Sequence, residues 1–173
     1  MPTISHTRIL QFISVIQKSR SRNEQGFALE ELLCSLFKKI PGLSITKRNE
    51  ERKFDGKDID IIIWNDQKSD GFYFLPNILS IGAHRWLEQI DSEHINWFIN
   101  RLIKRGLSFG ILVAMNGLVE DDEERALVRQ QISSALNDER QIVILRGKDL
   151  EKISSTEQLV TLVKEKLCEL AVV

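Results

Sequence analysis

Cysteine is scarce in this sequence. Its 173 residues include only Cys34 and Cys168, far apart and without a CxxC pair or a histidine at ligand spacing, so neither a zinc site nor a secreted disulfide framework is readable. Cys168 falls on a helical pattern and is expected as a small core residue. Proline and glycine are also few, at 3 and 9, which excludes collagenous and low-complexity chains. No charge sign prevails: 24 Lys and Arg face 25 Asp and Glu, a net charge of -1. Bulk basicity and an acidic tail are thereby excluded, and any nucleic-acid surface has to be a local patch. Long apolar runs are missing too. The two longest, residues 59–64 (interrupted by Asp60) and 111–115, are strand-sized and far short of the ~18 residues of a membrane span, so no membrane partner is expected. Residues 1–22 lack the uninterrupted apolar stretch and cleavage site of a signal peptide, which points to the cytoplasm.

What the chain has is 42% hydrophobic and 28% charged residues, the balance of a folded globular protein long enough to bury a core. A single domain is expected over residues 1–173, with 1–22 as an N-terminal helix packed on it or extending it. The hydrophobic period switches repeatedly, and this sets the fold class. Ile9, Phe12, Ile13 and Ile16 follow a helical stripe. Polar residues 19–25 interrupt it, and Leu29, Leu32, Leu33, Leu36 and Phe37 begin a second stripe that Pro41-Gly42 ends. Residues 43–47 alternate as a half-buried strand, 48–57 form a charged loop, and 58–64 read as a strand buried on both faces with Asp60 embedded in it. A third strand is expected over 72–81, its middle disturbed by Pro76. A helix capped by Ser92 and stopped by Gly106 follows, then a strand over 107–115, a helix over 121–137, a strand over 141–145 and a helix over 156–170. Meander strands followed by strands alternating with helices predict an α/β chain, three-layer α/β/α with a mixed central sheet.

Three carboxylates stand out on this scheme. Glu30 lies beside the stripe of the second helix, while Asp58 and Asp60 are two apart on one strand and share a face. Around them, Gly26-Phe27-Ala28-Leu29-Glu30 on a helix, Gly56-Lys57-Asp58-Ile59-Asp60-Ile61 on a strand and Ile81-Gly82-Ala83-His84-Arg85-Trp86 closing another resemble the restriction endonuclease-like core of the PD-(D/E)XK nuclease superfamily. The segments 92–98 and 105–117 are similar to small bacterial members, and the likeness covers roughly residues 26–145.

In that family the strand aspartate and the glutamate of the E-x-K motif hold Mg²⁺, and the lysine orients or activates the attacking water. The resemblance implies that Asp60 stands for the aspartate and Glu30 for the helix acid, with His84 completing a residual catalytic set and Asp58 beside Asp60 as a metal ligand. The third strand breaks the pattern: Gly82 stands where the family has glutamate and His84 where it has lysine. Glycine offers Mg²⁺ only a backbone carbonyl, and imidazole is a shorter, softer group than lysine, charged only near or below a pKa of about 6.5. The expected function is therefore a degenerate nuclease-like domain, catalytically inactive and acting as a DNA-binding or partner-binding subunit, in the bacterial restriction or defence setting that the resemblance implies. No cofactor is expected, or Mg²⁺ or Mn²⁺ if the domain is active. One alternative is an active metal-dependent endonuclease with Asp58, Asp60 and His84 around a softer ion, Glu88 serving as a migrated acid. The other is an interaction module without nucleic acid, its first helix burying its stripe on a second copy.

Two basic groups are candidates for nucleic-acid contact. Lys47, Arg48, Arg52, Lys53 and Lys57 surround the first strand connection, and Arg101, Lys104 and Arg105 end the third helix, where they also suit the helix dipole. Trp86 and Trp97 read as core or interface anchors, and His6 and His94 as surface residues. If the assignment of the third strand holds, Gly82→Glu with His84→Lys is expected to rebuild an Asp-Glu-Lys set with little change in stability.

Overall fold

A computed structural model describes residues 3–47, 58–84 and 86–172. Two helices come first, α1 (His6–Lys18) and α2 (Arg22–Lys38), then the strands β1 (Leu43–Lys47), β2 (Asp58–Asn65) and β3 (Ile78–His84). Helix α3 (Ser92–Arg105), strand β4 (Phe109–Ala114), helix α4 (Asp122–Asn137), strand β5 (Gln141–Arg146), the short helix α5 (Gly147–Glu151) and helix α6 (Thr156–Leu170) complete the chain. The five strands form one mixed sheet in the order β1-β2-β3-β4-β5. The first three pair antiparallel, and β3, β4 and β5 run parallel. Helices cover both faces, so the architecture is α/β in three layers.

Alternation along the strands sorts the two faces. Ile59, Ile61, Ile63, Leu79, Ile81, Ile111, Val113, Val143 and Leu145 join one core with residues of α1, α2, α5 and α6. Leu112, Ala114 and Ile142 join a second core with α3 and α4. Strand β2 is therefore buried fully on one face alone: Ile59, Ile61 and Ile63 face the first core, while Asp58 and Asp60 point to the side of α3. The apolar stripe of α1 is satisfied within the chain, since Ile9, Ile13 and Ile16 are buried in the first core.

Several boundaries move, each for a local reason. Helix α2 starts at Arg22 because Ser21 caps it by accepting from the Glu24 N–H, which draws the polar stretch into its first turn. Residues 72–77 do not extend β3. The buried Asn65 side chain donates to the carbonyls of Phe72, Leu75 and Pro76 at 2.8, 3.3 and 3.0 Å, which folds this segment into a turn that buries Phe72 and Leu75. Asp91, rather than Ser92, caps α3, and Gly106 ends that helix at φ 65, a left-handed conformation that glycine adopts without steric cost. Cys168 is exposed. It sits about 140° around α6 from the buried Val163, outside the stripe formed by Leu159, Val160 and Val163. Among the described residues no helix is long and apolar enough to cross a membrane.

Candidate functional site

The site lies where β2 begins and β3 ends, under α3. The antiparallel register sets Asp58 opposite His84 and Asp60 opposite Gly82, so two acids, an imidazole and a glycine share one patch of the sheet. Helix α3 crosses it with Trp97, Arg101 and Arg105 at four-residue spacing, one ridge of the helix. His84 Nδ1 lies 2.5 Å from Asp58 Oδ1, its ring stacks on Trp97 with centroids 4.6 Å apart, and it meets His94 edge-on at 5.4 Å. A carboxylate only accepts, so a proton lies on Nδ1 in this contact, and Nε2 makes no hydrogen bond among the described residues.

The acids are neutralised from the helix. Arg105 forms a forked pair with Asp60, Nη1 donating to Oδ1 at 2.7 Å and Nη2 to Oδ2. Arg101 bridges both acids, with Nη1 3.0 Å from Asp60 Oδ2 and Nη2 3.5 Å from Asp58 Oδ2, while its guanidinium lies over the Trp97 ring at 4.9 Å. Two carboxylates thus face two guanidiniums in a setting where fork geometry and partial burial strengthen the contact. The hydrogen bond to Asp60 holds the Arg105 guanidinium above its ordinary value, against an opposing effect of burial.

Gly82 has a packing role. A Cβ there would come 2.9 Å from Phe98 Cε1, and one on Gly110 would come 2.6 Å from Phe98 Cζ. The Phe98 ring fills the hollow above these two glycines, so a side chain at position 82 meets an aromatic ring instead of an open cleft. The expectation that Gly82→Glu leaves stability nearly unchanged is therefore corrected.

His94, expected on the surface, is 1% exposed. It occupies the first turn of α3, its Nδ1 2.7 Å from Asp91 Oδ1 and its buried Nε2 3.5 Å from Glu88 Oε2. Burial pushes the Asp91 carboxyl up, but the hydrogen bonds and charge of His94 and the Glu93 N–H outweigh it and leave it below its ordinary value of 3.8. A depressed folded pKa contributes stability that is complete above the ordinary value and vanishes as pH falls through the folded one. Asp91→Ala is accordingly expected to lose about 1 kcal/mol near neutral pH. The gap to wild type should close below the folded pKa, as read from urea midpoints across that range. A gap that stays constant down to the acid limit would contradict the assignment.

The sequence candidates are only partly gathered here. Asp58, Asp60 and His84 come together. Glu30 is buried on α2, among residues packed on the opposite face of the sheet. Arg101 and Arg105, expected to flank nucleic acid, are turned onto Asp58 and Asp60, while Lys104 stays exposed. Lys47 closes β1, and Arg48, Arg52, Lys53 and Lys57 lie outside the described residues. The two acids do not fit a metal ion in this arrangement. Their oxygens are taken by guanidiniums and the His84 imidazole, Gly82 adds no carboxylate, and among the described residues no group of three or more His, Cys, Asp or Glu side chains could hold one. Sequence reasoning missed His94 and the Trp97 stack. Their only signal was position along the ridge and first turn of α3. Compared with known protein families and with curated proteins, the chain matches no family model and no curated sequence.

Proposed function

We propose that this chain is a PD-(D/E)XK-like domain that has lost metal-dependent cleavage and serves as a DNA-binding subunit, working in the cytoplasm of a bacterial cell. The observation that carries this reading is the pairing of Arg101 and Arg105 with Asp58 and Asp60. Helix α3 supplies from within the fold the positive charge that two such carboxylates would otherwise draw from Mg²⁺. Phe98 over Gly82 points the same way, because it fills the position from which the missing glutamate would project. What remains of the site is one imidazole held by Asp58, with Asp58 and Asp60 both turned to Arg101. A fold that keeps its scaffold can keep binding surfaces after its chemistry has gone.

Purified protein incubated with supercoiled, linear and single-stranded DNA in Mg²⁺ or Mn²⁺ should leave all three intact. Robust cutting that Asp60→Ala abolishes would overturn the proposal and favour the active endonuclease.

A further inference from the structure

The parallel strands β4 and β5 end in a cleft that Asp58, Asp60, His84, Arg101 and Arg105 do not line. Its cavity measures about 650 Å³, within the range of sites that take small organic ligands. It opens at the carboxyl ends of the parallel strands, the edge where ligands bind in open α/β sheets. Its walls are tied together by hydrogen bonds. The Ile90 N–H donates to Gly117 O at 2.8 Å and the Val119 N–H to Ile90 O at 3.0 Å, while Asn116 Nδ2 donates to Leu87 O at 2.7 Å. Beneath the cleft, Gly147 lies so close to the end of β4 that a Cβ would come 2.5 Å from Met115 O, so only glycine lets the start of α5 settle there.

The charge of the cleft departs from that of the whole chain. Four cations, Arg125, Arg129, Arg146 and Lys148, line it against two carboxylates, Glu120 and Glu151, in a protein of net charge -1. Arg146 leans on Asp149 at 3.5 Å and Arg125 Nε donates to Val119 O. Among the described residues Arg129 and Lys148 make no ion pair, and both are exposed. Among the described residues no aromatic side chain lines the cavity, so they offer a base no ring to stack on. Cations without a stacking platform match the backbone of a nucleic acid and not its bases. Gln89, five residues beyond His84, reaches the cleft, so both features sit along the same edge of the sheet.

We infer that this cleft is the phosphate-binding surface of the domain, holding the phosphodiester backbone of nucleic acid through Arg125, Arg129 and Lys148 without reading its sequence. The inference rests on the DNA-binding half of the function proposed above and moves the contact away from Arg101 and Arg105. It is tested by anisotropy of a labelled 20-base-pair duplex with wild type and with Arg125→Ala/Arg129→Ala/Lys148→Ala, at several salt concentrations. The triple variant should bind at least about tenfold more weakly at low salt, with a salt slope shallower by ~2–3. Arg20→Ala/Arg22→Ala/Lys68→Ala removes the same charge from exposed positions elsewhere and should bind like wild type. Unchanged circular dichroism checks that both fold.

Equal losses in the two variants would overturn the inference, since affinity would then follow total charge. Tripolyphosphate that competes with the duplex supports it. Tripolyphosphate held in the cleft by a protein that does not bind the duplex overturns the nucleic-acid assignment. A wild type that binds no DNA overturns it too, while the cleavage assay, scored separately, still decides whether the domain is catalytic.

Discussion

Gly82→Glu is expected to destabilise the fold by about 3 kcal/mol or more and to restore no nuclease activity, alone or with His84→Lys. The Cβ of any residue at this position meets the Phe98 ring at 2.9 Å, with Trp97 3.4 Å away, so glutamate must either push α3 off the sheet or take a strained rotamer. Overpacking of this kind costs ~1–3 kcal/mol, and a carboxylate confined beside Phe98 adds a desolvation penalty with no cation assigned to it. Arg101 and Arg105 are already committed to Asp58 and Asp60. Urea unfolding measures the loss, and Gly82→Ala, which brings the same Cβ against the ring but no carboxylate, should lose less. Adding Phe98→Ala tests the cause, because the two substitutions share one hollow and their effects should fall short of additive. A Gly82→Glu protein with the urea midpoint of wild type would show that Phe98 does not constrain this position.

The second large effect concerns Asp60. Its side chain is 20% exposed and accepts from both guanidiniums, which are themselves about one-third exposed. Asp60→Ala leaves Arg101 and Arg105 facing each other across a space that held the compensating charge. Breaking a buried pair from one side costs ~3–5 kcal/mol, and the solvent reaching this one lowers the expectation to about 2 kcal/mol. Replacing the pair from both sides, as in Asp60→Leu/Arg105→Leu, should recover part of that loss because no charge is then stranded. High salt should narrow the gap between wild type and Asp60→Ala. If Asp60→Ala stays within about 0.5 kcal/mol of wild type, as an ordinary surface substitution does, the ion pairs carry little of the stability of this corner.

Much of the fold is written in local patterns. Helical stripes at Ile9–Ile13–Ile16 and Leu29–Leu33–Leu36, β-branched strands at 59–63 and 111–113, and the left-handed stop at Gly106 are short-range signals, each readable from a few neighbouring residues. They suffice for an α/β chain with a mixed sheet. They place Asp58 and Asp60 on one face as well, since alternation along a strand needs no partner. The turn over 72–77 was hidden because the group that organises it is the Asn65 side chain, up to 11 residues away from the carbonyls it holds.

The character of the site is the opposite case. Arg101 and Arg105 lie 41 and 45 residues from Asp60 in sequence, and nothing local tells a helix-end arginine that faces water from one that faces a carboxylate. Gly82 read as the loss of a ligand because a sequence shows which side chain is missing and not which ring fills its place. His94 read as exposed for the same reason, since one polar residue in a first helical turn is buried only if the helix docks with that turn facing inward. The cleft joins residues of α4, β5 and α5 to the loop before α3, and its positive charge exists only once these segments are side by side. The residues that can form a strand or a helix are settled by neighbours along the chain, whereas which charges meet, and whether they meet each other or a ligand, is settled by packing between elements far apart in sequence.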